Sequence, residues 1–204
     1  MARIFLIRHG ETTGNAGRIV QRPEIPLSAR GEAQAQALAR RLAKEGVARI
    51  VSSDLARAVS TSERLQYATG APLTFDPLLQ ERNFGDVRGT AYDDLRFDLF
   101  ALDFAPSNGE TWDVFHARVD RAWEAVRVLA AATSGTLAVV THGLVCRSLA
   151  ERHLSLADGM TVPERWENTS LTVVDGGPPW RVSVLNCIAH LEDPDLRPAR
   201  GSAV

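Results

Sequence analysis

The chain has 204 residues, 45% apolar and 24% charged, with 23 Lys and Arg against 25 Asp and Glu for a formal charge of -2. That is enough for one substantial core with the balance of an ordinary globular protein, and it argues against a nucleic-acid surface, so any anion site must be local. The N-terminus lacks the charged region, long apolar stretch and cleavage site of a signal peptide, and no apolar run approaches the span of a bilayer; the expected location is the cytoplasm, with no membrane partner.

Ile4-Phe5-Leu6-Ile7 is a short β-branched and aromatic run that breaks at once into Arg8-His9-Gly10-Glu11-Thr12, the pattern of a buried strand ending in a functional loop. Ligand sites in open α/β sheets lie outside the carboxyl ends of strands, which aims His9 at a ligand. Arg8 offers a planar, permanently charged fork suited to phosphate, and Gly10 is expected to let the backbone approach whatever His9 touches. Thr13 to Pro26 reads as a polar loop and candidate pocket wall, with Gln21 and Arg22 as candidate substrate contacts. Ser28 caps a predicted helix through Ala35, Leu38 and Leu42 that stops at Gly46; with the strand Ala48 to Ser52 this makes a βαβ unit, which implies parallel pairing. That strand ends in Ser52-Ser53-Asp54, and a helix follows with Arg57 in its first turn, where a cation opposes the helix dipole, an unfavourable place for a merely solvated arginine.

Leu73 to Phe75 is a weak strand. From Thr90 to Pro106 acidic and aromatic residues alternate, and Phe97, Phe100 and Phe104 fall at helical spacing. An amphipathic helix on the core is the favoured reading; a lid beside the pocket is the functional one. Glu110 opens a long helix with an apolar stripe of Trp112, Phe115, Val119, Ala122, Val126 and Leu129. Thr136 to Val140 is a strand apolar on both faces, ending in Thr141-His142-Gly143 before a helix from Leu144, so N–H groups near Gly143 can face an anion. Ser170 to Val174, the turn Asp175-Gly176-Gly177-Pro178-Pro179, and Trp180 to Leu185 read as a hairpin, and the stretch with Pro194, Pro198 and Gly201 as a loose tail. Asn168-Thr169-Ser170 matches a glycosylation sequon that has no meaning without secretion.

RHGET, with Asn15 three residues beyond it, resembles the signature of the histidine phosphatase superfamily, also called phosphoglycerate mutase-like. Its members attack a phosphomonoester with a histidine and pass through a phosphohistidine. The resemblance implies a three-layer α/β/α sandwich with a mostly parallel central sheet in one domain over residues 1–190; the residue pattern adds a candidate lid at 90–110 and a loosely ordered tail over 191–204. The resemblance also implies His9 as nucleophile, Glu81 as general acid and base, and Arg8, Arg57, His142, Asn15 and Gly143 as phosphate-binding, with Arg82 a further candidate substrate contact. Glu81 is assigned by resemblance alone.

On this reading the enzyme is a phosphomonoester hydrolase of the histidine acid phosphatase type, acting on a small-molecule phosphomonoester without metal or cofactor because arginine supplies the fixed charge. Two guanidiniums grip the phosphoryl oxygens, and His142, when protonated, adds a third donor. The same guanidiniums lower the pKa of His9 and keep it neutral for attack. Glu81 protonates the leaving oxygen, an effect typically worth about 100- to 10,000-fold. The alternative is a cofactor-dependent phosphoglycerate mutase, since Glu81-Arg82 and Asn83-Phe84-Gly85 partly resemble the mutase form; against it, the acidic stretch that follows is expected to repel bisphosphates. A binding relative without activity ranks third. Cys146 and Arg152 match the spacing of cysteine phosphatases, but the residues between them form helix and lack glycine. A metal held by His9, His142 and Glu81 would sit beside Arg8 and Arg57, cation against cation. Similar proteins act on sugar phosphates, phosphoglycerates, nucleotides and α-ribazole phosphate, and neither the substrate among these nor the oligomeric state is legible in the chain.

Overall fold

The apolar runs that alternate at strand period become strands: β1 (Arg3–Arg8), β2 (Val47–Ser52), β3 (Leu73–Phe75), β4 (Thr136–Thr141), β5 (Leu154–Leu156), β6 (Leu171–Gly176) and β7 (Trp180–Cys187). The helices are α1 (Thr13–Ala16), α2 (Ala29–Leu42), α3 (Ala56–Thr69), α4 (Trp112–Ala131) and α5 (Gly143–Arg152). This is a computed structural model, and it describes residues 2–197.

The seven strands form one sheet in the order β3-β2-β4-β1-β6-β7-β5. Neighbours are parallel except around β6, which runs against both β1 and β7. Successive side chains of a strand point to opposite faces, so each central strand feeds two cores. Ile4, Leu6, Leu137 and Val139 pack with Phe115, Val119 and Val126 of α4 and Leu149 of α5. Phe5, Ile7, Ala138 and Val140 pack with Leu38 and Leu42 of α2 and Ala58 and Leu65 of α3. The result is the expected three-layer α/β/α sandwich. Among the described residues no helix is long and apolar enough to cross a membrane.

β1 and β2 are parallel, as the βαβ reading implies, but they are not paired with each other. β4 lies between them and pairs with both. This brings the carboxyl ends of β1, β4 and β2 side by side: the His9 N–H donates to Thr141 O (2.9 Å) and the Ser53 N–H to Val140 O (2.9 Å).

The structure departs from expectation in several places. Residues 97–104 form no helix; the stretch has one 3-10 turn, Tyr92–Asp94, and otherwise irregular backbone. The Asp98 carboxylate takes the Phe100 N–H (2.8 Å), offering the backbone a local partner in place of a helical one, while Phe97 stacks on Phe104 (4.9 Å) and Tyr92 on Phe100 (6.2 Å). Helix α4 starts at Trp112, capped by the Thr111 hydroxyl, and not at Glu110. β5 was not anticipated: it follows α5 after a single residue and forms only as a short edge strand against β7. Of the expected loose tail, residues 191–197 are tied down: Leu191 is buried, Gln34 Nε2 donates to Leu196 O (2.7 Å) and Arg197 Nε to Leu191 O (3.2 Å). Pro198 and Gly201 lie outside the described residues.

Gly10 serves a different purpose from the one expected. Its bare Cα faces the start of α2, where an added Cβ would meet Gly31 O at 2.6 Å, and a Cβ on Gly31 would stand 1.9 Å from Glu11 O. Two glycines thus let the His9 loop press against α2. Buried Glu11 completes the joint by accepting from Ser28 Oγ (2.9 Å) and Arg30 Nη1 (3.2 Å). Gly31→Ala is expected to destabilise the fold by about 1–3 kcal/mol, the usual cost of forcing an atom into packed backbone. Urea unfolding checks this: a midpoint equal to that of the parent chain would contradict the packing described.

Candidate active site

His9, one residue beyond β1, and His142, one residue beyond β4, are buried with ring centroids 5.0 Å apart. Nδ1 of His9 lies 2.7 Å from Gly10 O. A carbonyl only accepts, so Nδ1 carries the proton and Nε2 keeps its electron pair for a ligand. Arg57 Nε donates to that nitrogen (3.3 Å) until a ligand takes its place, while Arg57 Nη1 donates to Arg22 O (3.3 Å). Burial first, then Arg57 and Arg8, drive the pKa of His9 well below its ordinary 6.5.

His142 is fixed in the same way by a hydroxyl. Ser53 Oγ accepts the Leu55 N–H (3.3 Å) and stands 2.8 Å from His142 Nε2, where its own O–H can donate. With Ser53 donating to Nε2, the proton of the neutral ring is on Nδ1, which is buried and without a partner among the described residues. Burial and Arg57 hold this ring, too, well below 6.5. In the ligand-free pocket the ring is therefore neutral, and the third cationic donor that protonation would supply is not formed there.

Arg8 is fully buried; its Nη1 donates to Trp166 O and its Nε has no partner among the described residues. Glu81 stands on the cleft wall, where Oε1 accepts the Arg82 N–H (3.0 Å) and Oε2 the Leu144 N–H (3.2 Å) in the first turn of α5. Burial nonetheless pushes its pKa up, against those two hydrogen bonds and the charges of Arg57 and Arg8. For Arg57 the same desolvation leads, lowering it to about 10, still cationic at neutral pH.

His9, Arg57, Glu81, Gln21 and Arg82 share one narrow cleft, which Val20, Pro23, Leu55, Phe84, Arg88, Tyr92, Phe100 and Leu144 also line. The loop before α2 is thus a pocket wall, as anticipated. Other expected contacts do not line it. Asn15 is buried, its Oδ1 taking the Thr12 N–H (3.2 Å) and the Asn168 Nδ2 (3.4 Å), with its own Nδ2 unpaired among the described residues. Gly143 opens α5. Arg22 is exposed at the mouth. Arg82 is a pin as well as a wall: its guanidinium lies 4.0 Å from the Trp112 ring, with Nε on Glu110 O (3.1 Å) and Nη2 on Phe104 O (2.8 Å).

The acidic residues expected to face the substrate do not line the cleft. From residues 90–110 only Tyr92 and Phe100 do, and Asp93, Asp94, Asp98 and Asp103 are exposed. The repulsion argued against bisphosphates loses its basis. The cysteine rival also fails, since Cys146 is buried inside α5 with its thiol pushed up by burial and Arg152 pairs with Asp120 (2.7 Å).

The profile of the histidine phosphatase superfamily, branch 1, matches residues 4–187. The chain belongs to this superfamily. It is 32% identical over 212 residues to a Shigella boydii protein named "probable phosphoglycerate mutase GpmB", covering 96% of this chain and 98% of that one. Among solved structures it is similar to a mycobacterial glucosyl-3-phosphoglycerate phosphatase in complex with VO3 (TM-score 0.77, 27% identity, 91% and 99% of the two chains). It is also similar to the α-ribazole phosphatase of Shigella flexneri (TM-score 0.77, 26% identity, 92% and 97%).

Sequence reasoning missed the second rank of this histidine phosphatase site. Asn168 Nδ2 (3.1 Å) and the Thr169 N–H (3.2 Å) hold the His9 carbonyl, so the apparent sequon is buried scaffolding. Ser53 was visible at its strand end but had no role; Arg88 carried no signal at all. Two outcomes follow. In 15N NMR of the ligand-free protein, His9 stays neutral with the proton on Nδ1 down to pH 6, because its protonation falls well below 6.5; titration near 6.5 would contradict the geometry. Ser53→Ala frees the His142 tautomer, and kcat for phosphate-ester hydrolysis drops roughly 10-fold or more, the scale on which loss of a supporting partner is felt; wild-type turnover would deny Ser53 this role.

Proposed function

We propose that this chain is a metal-independent phosphomonoesterase that hydrolyses a small phosphorylated metabolite through a phosphohistidine on His9. The observation that carries the reading is the unprotonated Nε2 of His9, whose electron pair accepts, among the described residues, only from Arg57 Nε (3.3 Å), in a cleft that also holds a carboxyl whose pKa is raised. As the Nε2–P bond forms, the P–O bond to the leaving group breaks, with charge on the equatorial oxygens met by Arg8, Arg57 and the His142 N–H. The leaving oxygen takes the proton of Glu81. Water then attacks phosphorus, Glu81 accepts its proton, and His9 departs as neutral imidazole with Nδ1–H still on Gly10 O.

Similarity to two phosphatases supports hydrolysis over mutase chemistry, as does the commitment of Arg82 to backbone carbonyls and an aromatic cage. The likeness to the GpmB protein favours the mutase as second reading. Supplying 3-phosphoglycerate with and without 2,3-bisphosphoglycerate separates them: a phosphatase releases inorganic phosphate in both cases, whereas 2-phosphoglycerate made only with the bisphosphate overturns our reading. Wild-type protein is expected to hydrolyse p-nitrophenyl phosphate and His9→Ala to lose that activity; turnover by His9→Ala would remove the mechanism. For Glu81→Gln, kcat for alkyl phosphates is expected to fall about 100- to 10,000-fold, and much less for p-nitrophenyl phosphate, whose leaving group needs no proton. Equal losses on both substrates would take the acid role from Glu81.

A further inference from the structure

The cleft carries more fixed positive charge than one phosphoryl group uses. Arg88 follows the 3-10 turn Gly85–Val87 and lines the same cleft as His9, Arg57 and Glu81. Its Nε is buried without a hydrogen-bond partner, and among the described residues its side chain makes no ion pair or hydrogen bond. Nearby arginines differ in this respect. Arg82 is committed to two carbonyls, Arg30 to Glu11, and Arg118 to Glu110 and to carbonyls before Glu81.

The carboxylates that act on Arg88 from a distance are Glu110 and Glu24. Glu110 is already gripped by two Arg118 nitrogens at 2.7 Å each, and the Glu24 residue is exposed. Arg88 meanwhile adds to the positive field on Arg57. A second cation stands beside it at the mouth: Gly89 has φ +94, and a Cβ there would meet the Arg22 guanidinium, 2.8 Å from its Nε. Holding an unpaired guanidinium against like charge is unfavourable unless a ligand compensates.

We infer that Arg88 is a specificity-determining residue that pairs with a second anionic group on the leaving-group side of the substrate. The preferred substrates are then small phosphomonoesters that also carry a carboxylate or a second phosphate, either of which fits the guanidinium fork. The inference rests on the phosphomonoesterase reading for its reaction, but not for the anion contact itself.

Three matched ligands test it: glycerol 3-phosphate, 3-phosphoglycerate and glycerol 1,3-bisphosphate, each measured by phosphate release and by calorimetric Kd on wild type, Arg88→Gln and Arg88→Lys. Wild type is expected to favour at least one of the two acidic ligands over glycerol 3-phosphate by roughly 10- to 100-fold, the range for a hydrogen-bonded charge pair. Which one identifies the anion. In Arg88→Gln that ratio collapses toward unity, mainly through KM, and Arg88→Lys recovers part of it. A ratio that survives in Arg88→Gln, or no wild-type preference for either acid, overturns the proposal. If wild type releases phosphate from none of the three, the phosphatase reading fails, while the Kd ratios still decide the role of Arg88.

Discussion

Two guanidiniums, Arg8 and Arg57, are buried at the carboxyl ends of the central strands, where among the described residues neither makes an ion pair with a carboxylate, and the rest of the site follows from that imbalance. Buried cations are held only where hydrogen bonds or opposite charge offset lost hydration. Here carbonyls of Trp166 and Arg22 take part of the load. The one carboxyl in the cleft, Glu81, is pushed toward its neutral form, and the other buried acid of the region, Glu11, is bound to Arg30 and Ser28. Burial first, and the guanidinium field second, keep both histidines neutral. On the proposed reading the pocket is a cationic receptacle for a phosphoryl dianion, and the field that would attract the dianion also helps keep His9 unprotonated.

The fold makes this possible by sheet order. Because β4 lies between β1 and β2, His142 arrives between His9 on one side and Ser53 on the other, and each ring nitrogen that must be fixed meets an atom from the neighbouring backbone or strand end. Glycines at positions 10 and 31 clamp the His9 loop onto α2 from outside, and Asn168 and Thr169 hold its carbonyl from inside. Rigid placement of this kind lets a reaction that is mostly positioning and neutralisation proceed with few catalytic groups.

The strands and helices that build the two cores were legible because burial on one or both faces imposes a period, as in Thr136 to Val140 or the stripe of α4. His9, His142 and Arg57 were legible because strand ends and helix starts have predictable positions in an α/β sheet; Glu81 came from family resemblance alone. What was not legible depends on contacts distant in sequence. Residues 97–104 show helical spacing, yet their rings pack on one another and around Arg82, and local carboxylates compete for the backbone. The irregular segment therefore presents Tyr92 and Phe100 to the cleft and its acids to solvent, reversing the electrostatic argument drawn from composition. Arg88 differs from any surface arginine only by where the chain folds it.

The central claim is that a neutral imidazole, His9, takes the phosphoryl group through Nε2 inside a pocket charged by Arg8 and Arg57. Rapid quench of the enzyme with a 32P-labelled phosphomonoester in alkali, followed by peptide mapping and 31P NMR of the phosphorylated residue, reads this directly. The account predicts label on Nε2 of His9, forming within the first turnover. Label on His142, on Nδ1 of His9, or on no residue at all would contradict it.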